Sequence, residues 1–193
     1  MDIKGKLIVI DGVDGSGKTV QIKLLKGKFP GAVIFKYPTQ RYTLLQDYLE
    51  KKIELDSKAL FLLFLADIAE DQKNVKKALS DGKFVILDRY VFSTISYEVK
   101  DIDYERGKQI VEGVDYLKPD MVILLDIGPE VSQERKSKQK KLDRYEGNME
   151  YLEKVRSNFL KLYEEKFLTS NWHKIDASQD VDSVHAEIMK LLR

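Results

Sequence analysis

Eight consecutive residues of the chain, Gly12-Val13-Asp14-Gly15-Ser16-Gly17-Lys18-Thr19, have the types and spacing to hold phosphate. They fit G-x-x-x-x-G-K-[ST], and they stand between an apolar run, Leu7-Ile8-Val9-Ile10-Asp11, and a helical period from Val20 to Lys28. Strand before and helix after is the context in which that pattern forms a phosphate loop. Gly12, Gly15 and Gly17 allow backbone conformations that turn successive N–H groups toward one phosphate, and a helix opening near Gly17 adds its positive dipole end. Lys18 would bring a cation to the β- and γ-phosphates, and the Thr19 hydroxyl could ligate Mg²⁺. The loop predicts a nucleoside triphosphate site.

Two further segments carry chemistry. In Phe84-Val85-Ile86-Leu87-Asp88-Arg89-Tyr90 an apolar strand ends in a carboxylate, at the sheet edge where the phosphate loop must lie. Asp88 is suited to hold Mg²⁺ through water or to orient a nucleophile, and Arg89 to grip a phosphate with two N–H donors. A plain strand-end salt bridge is the competing explanation. Between Arg135 and Arg144, six basic residues fall within ten positions, flanked by helical patterns. A solvated charge run is the ordinary reading, but a cationic flap closing over a phosphoryl group neutralises its charge and excludes water. Met121-Val122-Ile123-Leu124-Leu125-Asp126 also ends in a carboxylate but lacks the arginine, so Asp126 is expected to be structural or to line a base pocket.

These segments need a scaffold, and the hydropathy pattern supplies one. Short apolar runs at 7–10, 32–37, 84–87, 121–126 and, more weakly, 173–175 alternate with helical periods at 19–28, 43–51, 57–79, 91–99, 104–117, 129–136, 149–168 and 181–192. Continuous apolar runs belong to strands buried on both faces, and strand–helix alternation gives a parallel sheet with right-handed crossovers. The fold class is α/β: a five-stranded parallel sheet with helices on both faces, in one domain spanning 1–193. Ligands of such sheets sit beyond the carboxyl ends of the strands.

Composition narrows the partners. In 193 residues, 33 Lys plus Arg nearly cancel 32 Asp plus Glu, so no nucleic-acid partner is expected. The absence of cysteine excludes disulfides and thiolate chemistry. An apolar run such as Leu60–Ala66 is far too short to span a membrane, and the residues before the first strand show no secretory-leader pattern. The expectation is a cytoplasmic protein with no membrane partner. His173 and His185 lie far from every motif and are read as structural.

Taken together, the phosphate loop with Asp14 in third place, Leu87-Asp88-Arg89-Tyr90-Val91-Phe92-Ser93-Thr94-Ile95-Ser96-Tyr97, Asp143-Arg144-Tyr145-Glu146 and Asp176-Ala177-Ser178 resemble the thymidylate kinases, P-loop nucleoside monophosphate kinases. The resemblance runs across nearly the whole chain and implies the P-loop NTPase fold with a short basic lid at about 136–147. It implies Mg²⁺-dependent transfer of the ATP γ-phosphoryl group to dTMP, by a homodimer. By that likeness Gly12, Asp14, Gly15, Ser16, Gly17, Lys18, Thr19 and Arg135 serve ATP; Thr19 and Asp88 serve the metal; and Lys18, Asp88, Arg89 and Arg144 are catalytic. Asp14, Tyr37, Arg41, Phe64, Arg89, Ser93, Tyr97 and Tyr145 would bind dTMP, with Phe64 stacking on thymine, Arg89 on the acceptor phosphate and Asp14 on the sugar 3′-hydroxyl.

The sequence departs from the family in two places. Where some members carry a phosphate-loop arginine this chain has Gly15, and the cations between Arg135 and Arg144 fit the other arrangement, in which the lid supplies the charge. Where members usually have an arginine that hydrogen-bonds thymine this chain has Ile68, with Asp67 and Gln72 as candidate substitutes. Three alternatives stay open: a kinase of broader pyrimidine nucleotide range, a deoxynucleoside kinase using Asp11 or Asp88 as base, and a non-catalytic nucleotide-binding paralogue. A regulatory GTPase would need N-K-x-D, which does not occur here.

Overall fold

The computed structural model describes residues 5–97, 101–137 and 148–193. Strands β1 (Leu7–Asp11), β2 (Val33–Lys36), β3 (Val85–Asp88), β4 (Met121–Asp126) and β5 (Trp172–Asp176) form one sheet in the order β2-β3-β1-β4-β5. Every neighbouring pair is parallel, with Ile10 opposite Asp88 and Asp11 opposite Leu124. The three central strands are buried along almost their whole length, as their unbroken apolar runs predict. β2 alternates between half-buried and exposed residues, because as an edge strand it has one face covered less completely.

Between the strands lie α1 (Lys18–Lys28), α2 (Thr43–Leu49), α3 (Ser57–Ser80), α4 (Val91–Ser96), α5 (Tyr104–Val114), α6 (Pro129–Ser137), α7 (Met149–Glu165) and α8 (Val181–Leu191). α1 and α8 pack together on one face, while α3, α5 and α7 each pack on α4 across the other. That division follows from right-handed crossovers: β1 to β2 runs opposite in direction to the later connections. Asp56, Asp103, Asn148 and Asp180 cap α3, α5, α7 and α8 by accepting backbone N–H bonds. α5 and α7 stop short of the expected 117 and 168, because Asp115 and Lys166 take the left-handed conformation that ends a helix. Among the described residues no helix is long and apolar enough to cross a membrane.

The core beneath the functional edge is aromatic. Phe92 on α4 meets Trp172 edge-on at 4.8 Å and also contacts Tyr90 and Phe167. Phe92 is wholly buried and begins the short helix that presents Ser93 and Tyr97, so its packing fixes their height above the sheet. Phe92→Ala should lower stability by about 3–5 kcal/mol in urea unfolding.

Candidate active site

β1 and β3 are adjacent and parallel, so the segments that leave them emerge side by side. Asp11, fully buried, accepts from Gly12 N–H (2.9 Å) and Tyr90 N–H (3.2 Å) and from the Ser93 hydroxyl (2.7 Å). The Ser93 oxygen in turn accepts from Arg89 Nη1 at 3.0 Å. Arg89 Nη2 donates to Asp14 Oδ1 in a tight ion pair, and Asp14 Oδ2 accepts from the Tyr97 hydroxyl at 2.9 Å. The Tyr97 oxygen also takes the Asp14 backbone N–H at 3.1 Å. One polar chain therefore ties Asp11, Ser93, Arg89, Asp14 and Tyr97 together.

Electrostatics follow the burial. Burial pushes the Asp11 carboxyl up, against the pull of Arg89 and Lys18. Burial acts the same way on Asp14, but the Arg89 guanidinium, aided by Lys18, outweighs it and holds Asp14 well below the usual carboxylate range. Arg89 has φ of +70°, a strained conformation for a side chain of that size; it carries its N–H to Ile10 O at 3.2 Å and its guanidinium to Asp14.

The phosphate loop is shaped as its sequence requires. A Cβ on Gly12 (φ +146°) would lie 2.4 Å from the Leu125 carbonyl oxygen, so only glycine fits. A Cβ on Gly15 (φ +79°) would come to 3.0 Å from Ser132 O, and the Ser132 hydroxyl donates to Asp14 O at 2.6 Å. The start of α6 is thus pressed onto the loop where some family members place an arginine. Lys18 Nζ donates to Gly12 O (2.8 Å) and Val13 O (2.9 Å), with Ser16 Oγ at 3.4 Å. No side chain caps the N-terminus of α1, which leaves its first N–H groups for an anion.

Two cavities meet at this chain. One, of about 540 Å³, is walled by the phosphate loop, Lys36, Asp88, Arg135, Lys136 and the segment after β5, with Thr19 on its rim. Arg135 is anchored there by Ala177 O at 2.8 Å. The other is walled by Tyr37, Leu49, Phe61, Phe64, Ile68, Thr94 and Tyr97. Asp14 and Arg89 belong to both walls. Phe64 and Tyr97, expected at the base and sugar, both line this second cavity. Arg41 is on neither wall: its Nη2 donates to Asp71 at 2.6 Å, because two buried carboxylates of α3, Asp67 and Asp71, draw the guanidinium to them. The proposed substitutes for the missing arginine are also engaged. Asp67 accepts from Thr39 N–H at 2.6 Å and from the Thr39 hydroxyl, and Gln72 Oε1 takes Leu117 N–H at 3.0 Å.

Lys36, Thr94 and Ser132 went unread in the sequence, although Lys36, as the last residue of β2, lies at the ligand-facing edge by position alone. Lys36 Nζ is 3.5 Å from Asp88 Oδ2, so the strand-end pair exists; with a side chain 61% exposed, Lys36 holds the carboxylate weakly. Asp126 is bound at both oxygens by Arg156 (2.8 and 3.1 Å), a structural pair as expected. Arg144 and Tyr145 lie outside the described residues. Thr19 and Asp88 form a hard oxygen donor set, and among the described residues no three carboxylate, histidine or cysteine side chains gather around a metal. That fits Mg²⁺, which takes one or two protein oxygens and completes its shell with phosphates and water.

A parallel sheet with a phosphate loop after its first strand, and with a second cavity opening onto that loop, defines a P-loop phosphotransferase. The comparisons agree and go further. The thymidylate kinase family model matches residues 10–188. The thymidylate kinase of Schizosaccharomyces pombe is 34% identical, covering 98% of this chain and 92% of its own. A probable thymidylate kinase of Methanosarcina barkeri is 38% identical over 97% and 96%. The solved thymidylate kinase of Candida albicans, described as having broad substrate specificity, superposes with a TM-score of 0.76 at 27% identity, covering 98% of this chain and 91% of that one. The chain belongs to the thymidylate kinase family.

Burial and the neighbouring Arg89 lower the Lys18 ammonium to about 8, despite Asp14, Asp11 and Asp88. Its charge is present below that pH and lost above it, so nucleotide binding should weaken as pH rises from 7 to 9 and take up protons in that range. Calorimetry in buffers of different ionisation enthalpy measures both, and Lys18→Met should remove the proton uptake.

Proposed function

We infer that this protein is a dTMP kinase, transferring the γ-phosphoryl group of ATP to dTMP. The observation that carries the reading is the shared wall: Asp14 and Arg89 border both cavities, so a donor and an acceptor phosphate meet between them. Family membership and the names of the relatives identify the acceptor. The reaction needs no covalent intermediate, because the acceptor is already an anionic oxygen; catalysis is alignment and charge neutralisation.

The loop N–H groups and Lys18 hold the donor phosphates. Arg89 keeps N–H donors beyond those given to Asp14 and Ser93, and these grip the acceptor phosphate. Asp14, fixed by Arg89 and Tyr97, retains lone pairs for the sugar 3′-hydroxyl. Ser93 positions Arg89 and is itself held by Asp11. Phe64 and Tyr37 flank the base. Thr19 and Asp88, both on the nucleotide cavity, would hold Mg²⁺, which when bound would supply charge neutralisation on the donor phosphates. Arg135 borders the nucleotide cavity, and the chain acts as a single domain. Arg41 reaches the acceptor phosphate only by leaving Asp71. We assign the active form to a cytoplasmic homodimer, paired through α3, on which Leu62 is 53% exposed.

A kinase acting on a nucleoside hydroxyl is disfavoured, because its carboxylate base would have to reach the acceptor cavity. Asp11 is fully buried and triply bonded, and Asp88 borders only the nucleotide cavity. Initial rates with Mg·ATP and a panel of dTMP, dUMP, UMP, CMP, AMP and thymidine should favour dTMP; turnover of thymidine alone would overturn the assignment. Arg89→Ala should lower kcat/KM for dTMP by about 3 kcal/mol and leave the Kd for ATP nearly unchanged.

A further inference from the structure

We propose that the acceptor site reads the methyl group on pyrimidine C5 and not the substituent on C4, which makes 5-methyl-dCMP a second substrate of this enzyme. The proposal rests on the reading of the second cavity as the acceptor site.

That cavity has two unlike ends. Asp14 and Arg89 also border the nucleotide cavity, so the acceptor phosphate and sugar belong at their end. Leu49, Phe61, Phe64 and Ile68 border the acceptor cavity alone, and the base lies among them. An oxo and an amino group are nearly equal in size, so only a fixed donor or a fixed acceptor tells them apart. A guanidinium facing C4 would select the oxo group, and a carboxylate the amino group. Among the described residues the charged side chains on this wall are Asp14 and Arg89, bound to each other at the phosphate end.

The polar groups behind the apolar wall are spent on one another. Arg41 pairs with Asp71 at 2.6 Å, and Asp67 accepts from Thr39. Gln72 donates to Ile68 O at 3.2 Å, while its Oε1 takes Leu117 N–H at 3.0 Å and the Tyr90 hydroxyl at 3.1 Å. Thr94 does border the cavity, but a hydroxyl both donates and accepts, so it meets either C4 substituent alike.

The same wall suits a methyl group. Phe61 and Ile68 are packed into the core, so the apolar surface they present is fixed. Such a pocket gains about tenfold from one more carbon that it buries, whereas a site that hydrogen-bonds the distinguishing group rejects the wrong one by roughly ten-thousandfold. The wall supplies the first kind of selection. The transfer itself is the one performed on dTMP. A phosphate oxygen of 5-methyl-dCMP bonds to the γ-phosphorus of ATP as the bond to the β,γ-bridging oxygen breaks. The bridging oxygen keeps the electron pair, and the products are 5-methyl-dCDP and ADP.

The test uses dUMP, dTMP, dCMP and 5-methyl-dCMP, the four combinations of substituent at C5 and C4. Each is measured with the wild-type protein for kcat/KM with Mg·ATP and for Kd by calorimetry. The methyl group should raise both affinity and kcat/KM about tenfold in the oxo pair and in the amino pair alike. Exchanging oxo for amino should change either quantity by less than about fivefold. A larger C4 effect overturns the proposal, as does a methyl effect below about twofold in either pair. Turnover of dTMP with rejection of 5-methyl-dCMP sinks this proposal alone and leaves the dTMP kinase reading standing. If the protein binds ATP but phosphorylates none of the four, the acceptor reading itself has failed and this proposal falls with it.

Discussion

The ion pair between Arg89 and Asp14 joins two segments 75 residues apart in the chain, and the functional edge is arranged around it. Two carboxylates, Asp11 at the end of β1 and Asp14 three residues on, lie close together, and a burial this deep would expel their charge unless a cation stood by them. Arg89 is that cation. To reach the position it takes a left-handed backbone conformation costing of the order of 1–3 kcal/mol, which the surrounding hydrogen bonds offset. A lysine would offer one compact charge with three N–H donors instead of a planar fork of five, so bonds to Asp14 and Ser93 would leave it a single donor.

Because that cation borders both cavities, the reaction we propose would draw on the same interaction that makes the folded state tolerable. The guanidinium, Lys18 and the loop N–H groups are fixed before any substrate arrives, and fixed charge in a water-poor site stabilises a transferring phosphoryl group without reorganising. Gly15 belongs to this arrangement. Ser132 at the start of α6 closes on the loop at that position, so extra cationic charge has to come from elsewhere, and Arg135, one helical turn further on, already lies over the nucleotide cavity.

The base end of the acceptor cavity follows a different logic. Ile68 presents an apolar side chain where related proteins usually carry an arginine, and the carboxylates beside it on α3 are spent on Thr39 and Arg41. Asp67, Asp71 and Arg41 form a closed charge cluster next to the cavity. The two acids hold Arg41 beside α3, off the cavity wall.

How much of this was legible in the chain depends on the range of the interaction. The sequence by itself determined the sheet, because five apolar runs separated by helical periods have one economical packing, and it determined the phosphate loop, because Gly12, Lys18 and Thr19 act through local backbone geometry. Asp88 and Arg89 were legible for the same reason: a strand end fixes where its next residues emerge. Only the tertiary structure decided the partners. That Arg41 would turn to Asp71, that Lys36 would meet Asp88 and that Ser132 would close on Gly15 all depend on contacts between segments distant in sequence. Side-chain types set what a residue can bond. Which bonds form is settled by the distances that folding imposes, and those are not written in local spacing.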